Sequence, residues 1–412
     1  ELEEKLKINY NETQEKAIKG ALNNNITIIS GGPGTGKTTI INAIVKLYIE
    51  KEKLGSADIM ETIALLAPTG RAAKKMNSST GIPAYTIHRY LKWYKDSNEF
   101  VYNEFNKTHH KLIIVDEVSM IDVDLFNALL NGINSNIKLI LVGDTFQLPS
   151  VGPGLVLNEL IESDYFNYIP LNQIYRQSDN SYIPFLAKEI KNNDLSEEFL
   201  TKKDDYNFVN VDSSNIKKAI MQITNYSLSK GLDERNVQVL APMYKGDAGI
   251  DALNVILQNI YNPSKRNKEE VIYGDFIYRE DDKVLQLVND LDNNVFNGDI
   301  GFIERITGNK IIIDFDGNKV EYEKKDLKNI KHAYAISIHK SQGSEFMHII
   351  MPISTSYYKM LYNKLIYTGV SRAKKSLTLV GDPTAFQRAV NNNYSSSRKT
   401  SLKEQISMVY NK

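Results

Sequence analysis

The 412-residue chain contains no cysteine, which excludes disulfides, thiolate metal ligands and a cysteine nucleophile. A reducing compartment fits this lack, and we expect a cytoplasmic protein. No apolar run approaches the roughly 18 residues that a membrane span needs, and residues 1–5 lack signal-peptide character. The sequence therefore predicts a protein outside the membrane.

The chain also lacks an excess of either charge, since 50 Lys and Arg residues balance 50 Asp and Glu residues. An anionic partner such as nucleic acid would need a local basic groove. The length exceeds one ordinary compact core, so we expect two or three domains. The chain begins without Met and inside a helical pattern, which predicts a natural N-terminal part before the given residues.

Short apolar runs rich in β-branched residues alternate with helical stretches, which predicts an α/β fold with buried parallel strands. Two of these runs end in the same four residues, Leu-Val-Gly-Asp, at 141–144 and 379–382, which indicates two related α/β domains. The runs occupy residues 26–29, 63–67, 112–115, 137–142, 237–241, 349–353 and 377–380.

Two segments interrupt this pattern. Residues 270–332 show short alternating strands at 284–288, 300–306, 310–315 and 319–322, with turn residues between them, which predicts a small antiparallel barrel. Residues 91–110 carry aromatic side chains among polar ones, which predicts a short β-hairpin. A small satellite core is the alternative interpretation of those aromatic residues.

Residues 31–38, Gly-Gly-Pro-Gly-Thr-Gly-Lys-Thr, match the phosphate-binding loop G-x-x-x-x-G-K-[ST] directly after a predicted strand. Glycines let backbone N–H groups turn toward phosphate oxygens, and the following helix presents its positive N-terminus to them. Lys37 is predicted to reach the β and γ phosphates of ATP, and Thr38 to bind Mg²⁺. The predicted nucleotide-binding residues of this loop are Gly34, Thr35, Gly36, Lys37, Thr38 and Thr39.

An acid pair, Asp116 and Glu117, ends the apolar run at 112–115. We predict that Asp116 holds Mg²⁺ and that Glu117 acts as the base for the attacking water. A solvated strand end or a helix cap is the alternative, but the phosphate loop makes it the weaker one. The chain has no Asn-Lys-x-Asp guanine reader, which argues against a GTPase.

Further motifs follow in an order that resembles the superfamily 1 DNA helicases, specifically the RecD-like group, over nearly the whole chain. The resemblance implies that Gln14 reads adenine and that Gln147, in Gly-Asp-Thr-Phe-Gln-Leu-Pro, senses the γ phosphate. It implies that Arg176 and Arg372 are arginine fingers, and that Gly343 and Glu345 approach the nucleotide.

The same resemblance assigns DNA contacts to short motifs in both halves of the chain. Each motif alone could be an ion pair, a packed polar residue or a loop cap; their order along one chain favours the family. The implied DNA-binding residues are Pro68, Thr69, Arg71, Thr86, His88, Arg89, Pro242, Met243, His339 and Lys340.

The implied architecture is α/β, with two RecA-like P-loop domains with parallel sheets plus two insertions. Residues 1–90 and 111–170 form the first domain, and residues 171–269 and 333–412 the second. Residues 91–110 correspond to a strand-splitting β-hairpin called the pin, and residues 270–332 to a Src-homology-3-like β-barrel.

The function implied by the resemblance is that of an ATP- and Mg²⁺-dependent DNA helicase that moves 5′ to 3′ on single-stranded DNA. We expect a monomer that binds single-stranded DNA and junctions of single- and double-stranded DNA. One alternative is a DNA-stimulated translocase module of a larger recombination or conjugation complex, although the chain lacks the histidine triad of a relaxase. The other is an ATP-switched DNA-binding module, against which the complete hydrolytic set argues.

Overall fold

The computed structural model describes residues 9–94, 97, 99–173, 181–393 and 398–410. These residues form two compact units: residues 9–173 with 398–410 make the first, and residues 181–393 the second. Each unit is built around its own parallel sheet.

The first unit has a six-stranded parallel sheet with the order β3-β2-β6-β7-β1-β8. Its strands are β1 (Ile26–Gly31), β2 (Ile63–Ala67), β3 (Ala84–Thr86), β6 (Leu112–Val115), β7 (Lys138–Gly143) and β8 (Asn167–Leu171). Its helices are α1 (Glu12–Asn23), α2 (Lys37–Glu52), α3 (Ser56–Thr62), α4 (Gly70–Thr80), α5 (Ile87–Tyr90), α6 (Val123–Gly132) and α7 (Val156–Glu162).

Both faces of this sheet are buried, which is why its central strands are continuous apolar runs rather than alternating ones. Neighbouring residues of one strand enter different cores, since Ile113 belongs to the cluster on one face and Ile114 to that on the other. Ile28 and Ile29 of β1 divide in the same way. The layered α/β arrangement places every strand's carboxyl end at one edge, where loops carry the motifs.

The predicted hairpin exists and is short. Strand β4 (Trp93–Tyr94) pairs antiparallel with β5 (Glu99–Phe100), and Trp93 faces Phe100 in the register. Phe100 and Tyr102 are partly buried and pack against the core of the first unit, whereas Phe105 is 90% exposed. The aromatic side chains therefore divide between a small satellite core and the surface.

The second unit has a five-stranded parallel sheet with the order β18-β10-β19-β20-β9. Its strands are β9 (Tyr206–Asn210), β10 (Val237–Ala241), β18 (Ala335–Ser337), β19 (Phe346–Ile353) and β20 (Ala373–Gly381). Its helices are α8 (Tyr182–Asn192), α9 (Ile216–Ser229), α10 (Ile250–Tyr261), α11 (Asn363–Val370) and α12 (Pro383–Asn391).

Between α10 and β18 lies the predicted antiparallel insertion. Its main sheet has the order β16-β15-β14-β13-β17 and encloses its own apolar core, which includes Ile303, Ile313 and Phe315. The strands are β11 (Glu270–Tyr273), β12 (Phe276–Arg279), β13 (Lys283–Gln286), β14 (Ile300–Thr307), β15 (Lys310–Phe315), β16 (Asn318–Glu323) and β17 (Ile330–His332).

A buried carboxylate joins this barrel to the second unit's helical layer. Asp282, fully buried, accepts hydrogen bonds from Gln258 of α10 at 2.6 Å and from Asn262 at 2.8 Å. The hydroxyl of Tyr334, next to β18, donates at 2.9 Å to the same Asp282 oxygen that accepts from Asn262. Because a buried carboxylate is costly unless it is hydrogen-bonded, this network fixes where the barrel is attached.

The end of the chain departs from the expectation that residues 333–412 all belong to the second domain. Residues 398–410, with helix α13 (Leu402–Tyr410), lie in the first unit. Leu402 and Ile406 pack against its core, and Tyr410 stacks on Tyr165 with ring centroids 4.5 Å apart. Docking there partly covers Leu402 and Ile406, and local sequence patterning does not specify where such a helix docks. Among the described residues, no helix is both long and apolar enough to cross a membrane.

Candidate active site

The phosphate loop lies between the carboxyl end of β1 and the amino end of α2. Gly34 and Gly36 have φ values of 75° and 84°, the left-handed region that glycine adopts without a Cβ penalty. The Lys37 ammonium donates hydrogen bonds to the carbonyl oxygens of Gly31 at 2.6 Å and Gly32 at 2.9 Å. The loop thus holds a cation at the N-terminus of a 16-residue helix, the arrangement that suits an anionic phosphate.

Gln14 touches this loop directly. Its side-chain amide donates to the carbonyl oxygen of Thr35 at 3.4 Å, and its side-chain oxygen accepts from the backbone N–H of Asn11 at 3.2 Å. Asn11 in turn caps α1 by accepting from the Gln14 backbone N–H at 2.6 Å. A Cβ at Gly36 would lie 2.5 Å from the Gln14 amide nitrogen, so a side chain there would displace the Gln14 amide.

The acid pair follows β6 at the centre of the sheet. Burial and the neighbouring Glu117 raise the pKa of Asp116 to about 6, while Lys75 and Lys37 act in the opposite direction. The Asp116 carboxylate accepts the Glu117 backbone N–H at 2.8 Å. Glu117 itself has φ 54°, a left-handed conformation that is unfavourable for a residue with a Cβ. Such strain is typical of functional turns.

The Gln147 loop follows β7, the neighbour of β6 and β1 in the sheet. Gln147 is 4% exposed, and its amide nitrogen lies 3.4 Å from a carboxylate oxygen of Asp144. Its side-chain oxygen is buried without a hydrogen-bond partner among the described residues. Since buried polar atoms are rarely left unsatisfied, this atom indicates a place for a further polar group.

The predicted DNA-contacting residues of the first unit follow β2 and β3. Thr69 caps α4 by accepting from the Ala72 backbone N–H at 3.3 Å, and Thr86 caps α5 by accepting from that of Arg89 at 3.2 Å. Both hydroxyls therefore already serve the backbone. Pro68 and Arg71, beside Thr69, are partly exposed, and Arg89 is exposed with its guanidinium 5.3 Å from the Tyr85 ring centroid.

His88 is held among aromatic rings of the hairpin. Its imidazole packs against Trp93 at 5.8 Å and Phe100 at 5.9 Å between ring centroids. Burial lowers the pKa of His88, and the charge of Asp122 opposes that shift. His88 is therefore packed among aromatic side chains, as the alternative interpretation of this motif expected. A DNA contact by His88 stays a prediction.

In the second unit, one group of predicted residues lies where β19 and β20 begin. The Arg372 guanidinium, 4% exposed, donates to the Ser344 carbonyl oxygen at 3.2 Å and to the Ser371 hydroxyl at 3.1 Å. Glu345 forms an ion pair with Lys374 at 3.1 Å. Gly343, two residues before Glu345, has φ 72°. The structure thus brings Gly343, Glu345 and Arg372 together at the amino ends of these strands.

The other group lies at the opposite edge, after β10 and β18. Pro242 and Met243 follow β10, and His339 and Lys340 follow its neighbour β18. The Lys340 ammonium donates to the side-chain oxygen of Asn297 at 2.6 Å, a residue of the barrel. Arg176, the remaining predicted arginine finger, lies outside the described residues.

Sequence reasoning missed three residues that act on this machinery from a distance. Lys75 lowers the pKa of Asp116, Asn297 holds Lys340, and Arg398 binds the loop after Gln147. None lies in a recognisable motif, because their relation to the site depends on which helix, turn or tail folds against it.

The residues present fit a magnesium nucleotide. Mg²⁺ in such sites is held by one or two protein oxygens together with phosphate oxygens, which matches the Thr38 hydroxyl and the Asp116 carboxylate. Among the described residues there is no group of three or more His, Asp or Glu side chains that could hold a metal ion by themselves.

Three family models match successive parts of the sequence. Residues 14–153 match an AAA domain. Residues 253–315 match the SH3 domain of ATP-dependent RecD-like DNA helicases, and residues 332–380 match a UvrD-like helicase C-terminal domain.

Individual proteins show the same likeness. The ATP-dependent RecD2 DNA helicase of Deinococcus radiodurans is 32% identical over 395 residues, which are 96% of this chain and 52% of that protein. The RecD subunit of the RecBCD enzyme of Buchnera aphidicola (subsp. Acyrthosiphon pisum) is 30% identical over 448 residues, 92% of this chain and 73% of that one. This chain therefore spans about half of the first relative and about three quarters of the second.

Among solved structures, the Pif1 helicase from Bacteroides in complex with ADP-AlF3 and single-stranded DNA superimposes with a TM-score of 0.52 at 18% identity, covering 98% of both chains. At this identity the likeness concerns the fold, which agrees with the predicted pair of parallel-sheet α/β domains.

Proposed function

The chain belongs to the RecD-like family of DNA helicases, and we propose that it couples ATP hydrolysis to 5′-to-3′ movement along single-stranded DNA and to separation of duplex strands. One observation supports this most: the strand order of the first unit. Across the sheet, the predicted DNA motifs follow β3 and β2, and the acid pair follows the next strand, β6. The Gln147 loop follows β7, and the phosphate loop follows β1. The hydrolytic residues thus lie between the DNA motifs and the phosphate loop.

In the proposed mechanism, Lys37 exchanges the carbonyl oxygens of Gly31 and Gly32 for the β and γ phosphate oxygens of ATP. Thr38 and Asp116 would hold Mg²⁺, which would supply positive charge to the phosphates when bound. Glu117 accepts the proton of the attacking water. Its backbone conformation, fixed by the turn after β6, sets where its carboxylate can point.

Gln147 is the proposed link between hydrolysis and DNA. Its buried side-chain oxygen would accept a hydrogen bond from the attacking water, and its loop lies next to the acid pair's strand. A change at the γ phosphate would then shift the loops at the same sheet edge that reach the DNA motifs after β2 and β3.

DNA contacts are proposed at two carboxyl edges, one in each unit. Arg71 and Arg89 in the first, and His339 and Lys340 in the second, offer basic groups to phosphate oxygens. Binding by basic groups to the backbone is tolerant of sequence and weakens with salt.

Arg372 and Arg176 are proposed to neutralise charge on the transferred phosphoryl group, and Gln14 to read adenine. We further propose that the protein is a cytoplasmic monomer.

A second candidate is a motor module of a larger recombination complex. The likeness to proteins named as the RecD subunit of the RecBCD enzyme favours it. A module would hydrolyse ATP with DNA but unwind little by itself.

The deciding experiment measures ATP turnover with and without single-stranded DNA, followed by unwinding of duplexes with a 5′ or a 3′ tail. We expect DNA-stimulated turnover and unwinding from 5′ tails. Stimulated turnover without unwinding would support the module, and unwinding from 3′ tails alone would contradict the proposed polarity. ATP binding without any hydrolysis would overturn the motor in favour of an ATP-switched binding protein.

A further inference from the structure

We infer that Arg398, in the segment after the second unit, is a positioning residue that sets the loop following Gln147 for ATP hydrolysis. The inference rests on the proposed function, since it deepens the role given to the Gln147 loop. Arg398 lies in no helicase motif and is separated from that loop by roughly the whole second unit in sequence.

Four hydrogen bonds join the Arg398 side chain to the loop after Gln147. The Arg398 guanidinium donates to three backbone carbonyl oxygens of one loop: Ser150 at 2.5 Å, Gly152 at 2.6 Å and Gly154 at 2.9 Å. It also donates to the Ser150 hydroxyl at 3.2 Å. A planar guanidinium with five N–H groups can serve several acceptors in fixed directions, whereas a lysine ammonium cannot reproduce that fork.

The bound loop joins two parts of the hydrolytic site. Ser150 is only three residues after Gln147, and Leu148 between them is 1% exposed. Because the interior is closely packed, a shift of the loop at Ser150 would also displace Gln147. On its other side, the carbonyl oxygen of Pro153 accepts the backbone N–H of Val123 at 3.0 Å. Val123 begins helix α6, which follows the acid pair by a short turn.

The loop cannot easily adopt another position against α6 while it stays packed there. A Cβ at Gly152 would lie 2.1 Å from a carboxylate oxygen of Asp122, and one at Gly154 would lie 2.2 Å from the Val123 side chain. The loop backbone therefore packs directly on the side chains of Asp122 and Val123 at the start of α6. Arg398 donates hydrogen bonds to the carbonyl oxygens of the same loop, so the loop is held both by α6 and by Arg398.

The segment that carries Arg398 is anchored independently of this loop. The buried Glu159 of α7 accepts the backbone N–H of Leu402 at 3.1 Å at the start of α13. Leu402 and Ile406 pack against the first unit's core. Removing an anchor such as Ile406 therefore weakens docking of the segment without deleting any donor to the loop, which provides a matched control.

The test compares Arg398→Ala, Arg398→Lys and Ile406→Ala in the full chain. The readouts are kcat and KM for ATP with saturating single-stranded DNA, and hydrogen exchange of backbone amides in residues 147–154. We expect Arg398→Ala to lower kcat about 5- to 100-fold with KM for ATP unchanged, because small displacements of positioned groups have effects of this size. Exchange in the loop should become faster, and Arg398→Lys should recover only part of both losses.

Ile406→Ala is expected to lower the melting temperature while it keeps kcat and the loop's slow exchange. If Arg398→Ala and Ile406→Ala lower kcat equally, or if exchange in residues 147–154 is unchanged in Arg398→Ala, the inference is wrong and Arg398 serves only docking. That failure differs from failure of the proposed function, in which the unaltered protein itself shows no DNA-stimulated turnover.

Discussion

The Lys340 ammonium donates a 2.6 Å hydrogen bond to the side-chain oxygen of Asn297. Lys340 belongs to a predicted DNA motif after β18, and Asn297 to a turn of the inserted barrel. That turn is itself fixed, since the Asn297 backbone N–H donates to the Asn289 side chain at 2.9 Å. The barrel thus sets the position of a cation that is proposed to meet the DNA backbone.

We expect Lys340→Ala and Asn297→Ala to weaken single-stranded DNA binding in different ways. Lys340→Ala removes one phosphate contact and should reduce the slope of log affinity against log salt by about 0.7. Asn297→Ala keeps the charge, so the slope should stay while affinity falls about two- to tenfold, the size of one lost hydrogen bond. Fluorescence anisotropy over a salt series measures both. Lys319→Ala, on the exposed face of the same barrel, is the control, and an equal slope change there would contradict the assignment.

Lys37→Ala is expected to lower ATP turnover by at least about 100-fold, because the loop loses the cation that meets the transferred phosphoryl group. The folded structure should remain, since the Lys37 ammonium donates to the loop carbonyl oxygens of Gly31 and Gly32 and not to the core. Lys51, exposed in the last turn of the same helix, provides the matched control. Turnover that survives in Lys37→Ala would contradict the phosphate-loop assignment.

Replacing Glu117 with Gln should separate binding from hydrolysis. The amide keeps the size of the side chain but cannot take a proton from water, so turnover should fall about 100- to 10,000-fold while ATP affinity stays within a factor of about three. Titration with a fluorescent ATP analogue and steady-state turnover together check this. Asp124→Asn, exposed in the first turn of α6, should change neither. Equal loss of binding and turnover in Glu117→Gln would assign a structural role to this residue instead.

Arg372→Ala should reduce turnover at saturating ATP and DNA by about 1,000-fold if the guanidinium acts as an arginine finger. Because Arg372 is buried and binds the Ser344 carbonyl oxygen, its removal should also lower the melting temperature. Arg372→Lys restores charge but not the planar fork, so its turnover should stay low. Lys374→Ala, which removes the exposed partner of Glu345, is the control. Full turnover in Arg372→Ala would leave Arg176 as the sole candidate finger.

Acid should destabilise the protein partly through His88. Burial lowers its pKa, so the unfolded chain takes up the proton first as the pH falls. The stability contributed by the neutral imidazole is therefore complete above the ordinary pKa of about 6.5 and is lost as the pH falls from there toward the folded-state value. We expect the melting temperature to drop as the pH falls below about 6.5, and to drop less steeply in His88→Gln. Parallel curves for the two proteins would rule out this contribution.

The strands of the two parallel sheets that sequence patterning missed share one property. β3, β8, β9 and β18 occupy the edges of the two parallel sheets, while every strand predicted for those sheets lies inside them. A central strand is covered on both faces and flanked on both sides, so its residues form a continuous apolar run. An edge strand such as β8 tolerates Pro170 and the exposed Tyr168, and its pattern is correspondingly weak.

The hairpin shows a similar division. Its aromatic residues predicted a hairpin, which β4 and β5 confirm. Which rings are exposed and which pack on His88 was not predictable, because it depends on where α5 and α6 place the core beneath them. The tail assignment was wrong for the same kind of reason, since an amphipathic helix specifies that it must dock but not where.

The sequence by itself was enough to predict roles for Lys37, Thr38, Asp116 and Glu117, because a phosphate loop and an acid pair need fixed residue types at fixed local spacing. It also determined the central strands and the barrel through their periodicity. Only the tertiary structure decided that Gln14 contacts the phosphate loop, that Asn297 holds Lys340 and that Arg398 binds the loop after Gln147. Those contacts join residues distant in sequence through packing and hydrogen bonding, and no local pattern records them.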